Sequence, residues 1–136
     1  MSFIVTSPAT PEYNCIAWAA GDSLHWWEPD PMGDYYWPPN ALRKYSFEAY
    51  VDAFKALGFE ICKNLDLEKN YEKIVLYGDP LMQTIHASRQ LSNGQWTSKL
   101  GTDVDIEHAF VKEWKTLENL PYGDLRVIMK KPPVVL

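Results

Sequence analysis

The stretch from Gln83 to Leu100 constrains the fold more than any other. Gln83-Thr84-Ile85-His86-Ala87-Ser88-Arg89-Gln90-Leu91 and Gln95-Trp96-Thr97-Ser98-Lys99-Leu100 are two strand-like runs joined through Asn93-Gly94. Asn-Gly between such runs is the strongest short-range hairpin signal, because both residues tolerate the left-handed backbone of a tight mirror-image turn. With the run Lys73 to Tyr77 before it, the hairpin predicts an antiparallel meander. Side chains alternate along a strand, so His86 shares a face with Thr84, Ser88 and Gln90, while Ile85, Ala87, Arg89 and Leu91 point the other way. A two-residue loop sets Gln90 opposite Thr97 and Ser88 opposite Lys99; one extra loop residue exchanges Thr97 for Ser98 on the histidine's face.

Around this sheet the sequence predicts helices. Tyr13-Asn14-Cys15-Ile16-Ala17-Trp18-Ala19-Ala20-Gly21 reads as a helix of about two turns, apolar all round and closed by glycine, hence buried on most sides. Ser46 to Leu57 has a serine cap and an apolar face of Phe47, Tyr50, Val51, Phe54 and Leu57, and Gly58 ends it. Asp103 to about Leu120 is a third predicted helix, with Ile106, Phe110, Val111, Trp114 and Leu117 as its stripe and Pro121 and Gly123 as its stop. Phe59 to Cys62 and Leu125 to Met129 read as further strands, and residues 1 to 12 as an extended arm. Between His25 and Tyr45, six aromatic residues lie among five of proline and glycine, which excludes a regular helix and predicts a structured loop.

The 136 residues suit a single domain spanning 1–136 with its own core. At 46% hydrophobic and 23% charged the chain reads as globular, and its net charge of -5 disfavours a nucleic-acid or anionic-membrane partner. No run approaches the roughly 20 apolar residues of a membrane helix. Met1 to Pro8 has no basic region ahead of an apolar core, so the expected location is cytoplasmic, or outside the cell by export without a cleaved signal, as an effector. Cys15 and Cys62 fit neither a disulfide framework nor a zinc motif and are expected as free thiols.

Of the two, Cys15 has the better address for chemistry. At a helix start it lies beside unpaired backbone N–H groups and the positive end of the helix dipole, which favour thiolate. His86 is the histidine with a strand setting and is the candidate base. A cysteine nucleophile needs such a base and a third polar group to orient the imidazole; Thr97 or Ser98 offers a hydroxyl for that role. Asn14 and Tyr13 flank the nucleophile and are candidates for an oxyanion hole, the other reading being that they cap and pack the helix start. Trp26, Trp27 and Trp37 are candidates to line a substrate cleft, the other reading being that they pack the loop onto the domain. His25, His108, Asp105 and Glu107 have no metal-ligand spacing, and the chemistry calls for neither metal nor cofactor.

Asn14-Cys15-Ile16-Ala17-Trp18 resembles the nucleophile helix of compact bacterial papain-like cysteine hydrolases, the NlpC-type and CHAP-type cell-wall amidases and endopeptidases. His86 to Ser98 is similar to their histidine strand, glycine turn and following strand, where the third catalytic residue falls near Ser98; those families usually carry His, Asn, Asp or Glu there. Trp26-Trp27-Glu28-Pro29-Asp30, Trp96 to Gly101 and Asp105-Ile106-Glu107-His108 resemble an uncharacterised bacterial branch of the same group.

The resemblance implies an α+β papain-like fold, with the N-terminal nucleophile helix packed on the antiparallel meander and additional helices outside. It also implies a cysteine hydrolase or acyltransferase that cleaves or transfers an amide or peptide bond, of the peptidase, amidase or deamidase class, acting on a peptide or protein. The alternative is a catalytically inactive domain of that kind that binds proteins through its aromatic loop.

Overall fold

A computed structural model of the chain describes residues 3–79, 81, 85–99, 104–109, 113–114 and 123–132. Among these, one antiparallel sheet dominates. Its strands are β1 (Phe3–Ser7), β2 (Glu60–Cys62), β3 (Glu72–Gly78), β4 (Ile85–Gln90), β5 (Trp96–Lys99), β6 (Asp105–His108), β7 (Glu113–Trp114) and β8 (Gly123–Lys131). They run in the order β1-β6-β5-β4-β3-β8-β2, with β7 pairing beside β8. Two short helices, α1 (Cys15–Ala19) and α2 (Phe47–Ala56), complete the described regular structure.

The α+β papain-like architecture is therefore corrected. Seven strands in one antiparallel path outweigh two helices of five and ten residues. The sharpest change falls in the predicted helix Asp103 to Leu120: Asp105–His108 is a strand between β1 and β5, and Glu113–Trp114 pairs with β8. Val104 and Ala109 flank the strand without helical structure, and residues 103, 110–112 and 115–120 of that predicted helix lie outside the described residues. Alternation explains the strand at 105–108. Ile106 points into a core, Asp105 accepts from Tyr13 just before α1, and His108 meets Ser98 on the neighbouring β5, so the strand gives these side chains buried partners.

The sheet is apolar on both faces. Ile74, Leu76, Ala87 and Met129 face α1 and α2 in a first core, and Val75, Tyr77, Trp96 and Ile106 form a second core on the other side. α1 lies across β4 and β5. Asn14 caps it, and Gly21 at φ +85° makes the left-handed exit that its sequence predicts. Ser46 caps α2, whose buried Ala49, Ala53 and Phe54 close the first core. No helix of the described residues is long and apolar enough to cross a membrane.

The loop of the β4–β5 hairpin carries one residue more than a two-residue turn. The Leu91 N–H donates to Gln95 O at 2.7 Å, the Gly94 N–H to Leu91 O at 2.9 Å, and Gly94 takes φ +86°. Arg89 therefore opposes Thr97, and Gln90 opposes Trp96.

Candidate functional site

Alternation along β4 and β5 distributes the predicted site over two faces. Cys15 is partly buried against the first core at the mouth of α1, and its Sγ reaches Ile85 O at 3.9 Å. Ile85 and Ala87 face it. His86, between them, points to the opposite side: it pairs in register with Tyr77, its ring lies 5.7 Å from the Tyr77 ring, and Tyr77 belongs to the second core. The sheet thus separates the sulfur from the imidazole, and the described geometry does not form a Cys15–His86 dyad. Burial pushes the Cys15 thiol up to about 11; the N–H groups of Ala87, Ile16 and Cys15 itself, and the charge of Lys99, pull the other way without overcoming it. Burial also holds His86 neutral, lowering it to about 3, with the nearby His108 acting in the same direction.

Thr97 and Ser98 separate in the same way. Thr97 lies on the α1 face, where Oγ1 accepts from Trp18 Nε1 and donates to Ile106 O, both at 2.9 Å. Ser98 lies on the His86 face, inside a buried chain: Oγ is 2.7 Å from Ser88 Oγ and 2.9 Å from His108 Nε2, and His108 Nδ1 is 2.7 Å from Ala109 O. Sequence reasoning set His108 aside with the metal alternatives; its period-2 spacing from Ile106 was the signal that it turns inward.

The two flanking residues serve structure. Asn14 Oδ1 accepts from the Ala17 N–H at 3.1 Å and the Trp27 N–H at 3.3 Å, while Nδ2 donates to Trp27 O at 2.7 Å, so one side chain caps α1 and ties the aromatic loop to it. Tyr13 donates its hydroxyl to Asp105 at 2.5 Å, with burial and that carboxylate raising it to about 12. Its ring stacks on Trp18 at 5.4 Å, Lys99 lies 5.3 Å from the Tyr13 ring, and Arg89 lies 5.2 Å from the Trp18 ring. The result is a ladder of cation, ring, ring and cation along one edge of α1.

In the aromatic loop, Trp27 and Trp37 are core residues: Trp27 Nε1 donates to Asp22 at 2.8 Å and Trp37 Nε1 to Leu42 O at 2.9 Å. Trp26 is half-buried, with Nε1 on Glu28 at 3.0 Å. Arg43 bridges Asp30 and Tyr35 O, and Tyr45 donates to Glu28. Several backbone and side-chain ties thus fix the loop, and among polar side chains such as His25, Asp34 and Lys44 it exposes large apolar ones: Met32 is 84% exposed, Leu24 78% and Tyr45 60%, joined by Tyr35, Tyr36 and Leu42. These six are the majority of the eleven large exposed hydrophobic side chains among the described residues, gathered on one segment of about two dozen.

The chain defines a small sheet domain with a rigid aromatic loop and a cysteine at a buried helix start. It belongs to a protein family described as a domain of unknown function (DUF7689), which it matches over residues 4–130. Neither a curated protein nor a solved structure matches it.

Proposed function

We propose that this chain is a non-catalytic binding module that takes a protein partner through the large hydrophobic side chains exposed along its loop 22–45. The observation that carries the reading is the concentration of Leu24, Met32, Tyr35, Tyr36, Leu42 and Tyr45 on a segment held in place from below. A pre-ordered apolar surface loses little entropy on docking, and aromatic side chains supply large contact area at low conformational cost. The placement of His86 on the opposite face of the sheet from the sulfur weighs against a Cys15–His86 hydrolase.

A photo-crosslinking residue at position 32, compared with one at position 61 on the far edge of the sheet, tests it. The expected result is a defined protein adduct from position 32 that excess unlabelled protein competes away, and that the variant Leu24→Ser/Met32→Ser/Tyr45→Ser fails to compete. Adducts of equal yield from both positions, or adducts that do not saturate, overturn the proposal.

One consideration favours the hydrolase: the backbone N–H groups of Ala87, Ile16 and Cys15 itself pull the thiol's pKa down, against its burial. Alkylation separates the readings. If Cys15 reacts faster than Cys62 below pH 8, and His86→Ala slows it, Cys15 is a nucleophile; if its rate climbs only toward pH 11, the thiol is a packed side chain.

A further inference from the structure

At β1 the sheet ends in water. Among the described residues no strand pairs on the outer side of Phe3–Ser7. Ile4 is 64% exposed and Val5 53%. Successive strand residues point to opposite faces, so the exposure of both means that neither face is covered there. The register with β6 identifies the faces: Val5 opposes Ile106 of the second core, and Ile4 opposes Glu107. Val5 thus extends the second-core face past Ile106 into solvent.

The outward N–H and C=O groups of an edge strand template a further strand, so soluble proteins blunt their edges with charge, proline or brevity. At the other end of the path β2 follows that rule, with three residues that begin at the exposed Glu60 and are followed by Lys63. In β1 the charges are missing. Met1 to Pro11 contains no charged side chain, in a chain that is 23% charged, and Ile4-Val5-Thr6 is an unbroken β-branched run suited to a pleated surface. Its guard is a register shift between Val5 and Ser7, which keeps the regular edge short.

We infer that β1 is a self-association edge, at which two copies of this chain join their sheets by antiparallel pairing of β1 with β1 about a twofold axis at Ile4–Val5. Complementarity and charge point to a second copy as the occupant. What the edge lacks is a strand's backbone, and pairing with its own copy sets β-branched side chains against β-branched ones with no charge opposed to its like. The carboxylates of β6 do not prevent it. Asp105 is buried against Tyr13, and the two copies of Glu107 would stand three strand spacings apart, about 14 Å, beyond the Debye length of about 8 Å at physiological salt. So short an edge buries less than the roughly 1,200 Å² of stable complexes, which makes the dimer a transient one. The inference goes beyond the docking proposal: the edge shares no residue with loop 22–45, and neither test decides the other.

Sedimentation equilibrium of the whole chain between about 10 μM and about 1 mM, in about 0.15 M salt, reads the association. The average mass should rise from the 15.7 kDa of one chain toward twice that value, with a Kd on the order of 100 μM. Concentration-dependent amide shifts should fall on Phe3–Ser7 and Asp105–His108. Val5→Lys and Val5→Glu replace an exposed side chain, and unchanged amide shifts away from β1 and β6 report that the fold persists. The twofold axis brings the two copies of position 5 opposite or diagonal to each other on one face, so each variant alone should associate about tenfold more weakly than the wild type. Their equimolar mixture should recover the wild-type mass, because lysine then meets glutamate. A mass that stays at that of one chain up to about 1 mM overturns the inference. So does association that neither variant weakens, that the mixture of weakened variants does not restore, or whose shifts fall on loop 22–45 or on β2 instead.

Discussion

At Cys15 a difference of one position along β4 decides the chemistry. Had a base stood at 85 or 87, it would face the sulfur; at 86 it faces Tyr77. The alternation of His86, Ser88 and Gln90 against Ile85, Ala87 and Arg89 was legible in the sequence, and so was its sense: Ile85 and Ala87 make theirs the more apolar face, the one an apolar helix such as α1 covers, whereas His86, Ser88 and Gln90 are all polar. Asn14 illustrates the same scale from the side of stability. Its three hydrogen bonds join the start of α1 to the backbone of Trp27, so Asn14→Ala should cost about 2 kcal/mol in urea unfolding. Asn14→Asp keeps the capping oxygen and loses the donor to Trp27 O, and should recover about half of that loss. If both variants unfold with the wild type, Asn14 is not the tie described.

Among the elements, β3 and the loop before it depend on a single ammonium. Lys73 Nζ is enclosed by Asn64 Oδ1 at 2.7 Å, Asn64 O at 3.2 Å, Asp66 O at 2.7 Å and Glu68 Oε1 at 2.8 Å. A buried cation that organises four acceptors holds the loop much as a bound metal ion would. Lys73→Met should leave those carbonyls without their donor, lower the urea midpoint by more than Glu68→Gln does, and speed amide exchange across 64–68 with little change in α2. Uniform exchange throughout the sheet would contradict it.

Local pattern made α2, the β4–β5 hairpin and the closing of α1 on Gly21 readable, because propensity, caps and alternation all agree there. It failed at 105–108, where Ile106 belongs to a helical stripe with Phe110 and Val111 as readily as to a strand. The deciding contacts, Tyr13 on Asp105 and Ser98 on His108, come from distant parts of the chain.

For the molecule as a whole, the buried histidines set the response to acid. His86 is 1% exposed and its folded-state pKa lies near 3, below the 6.5 of an accessible imidazole; burial lowers His108 as well. Between these values the unfolded chain binds the proton and the folded chain does not, so stability rises with pH across that window. It is fully present above about pH 6.5 and falls as the medium is acidified, by up to about 1.4 kcal/mol per pH unit for each such histidine. The carboxylates held low by their partners, Asp22, Asp30 and Glu68, contribute with the same sign but titrate further down, so the measurement belongs above pH 5. Urea unfolding at pH 7.5, 6.5, 5.8 and 5.0 should show a progressive loss, and for His86 alone about 2 kcal/mol should be missing at pH 5.0 relative to pH 7.5. His86→Gln cannot take up the proton and should flatten the profile toward the slope left by His108, even if it is less stable at every pH. A wild-type profile that is level between pH 6.5 and 5.0, or a variant profile parallel to it, would mean that His86 titrates in the folded protein as it does in water.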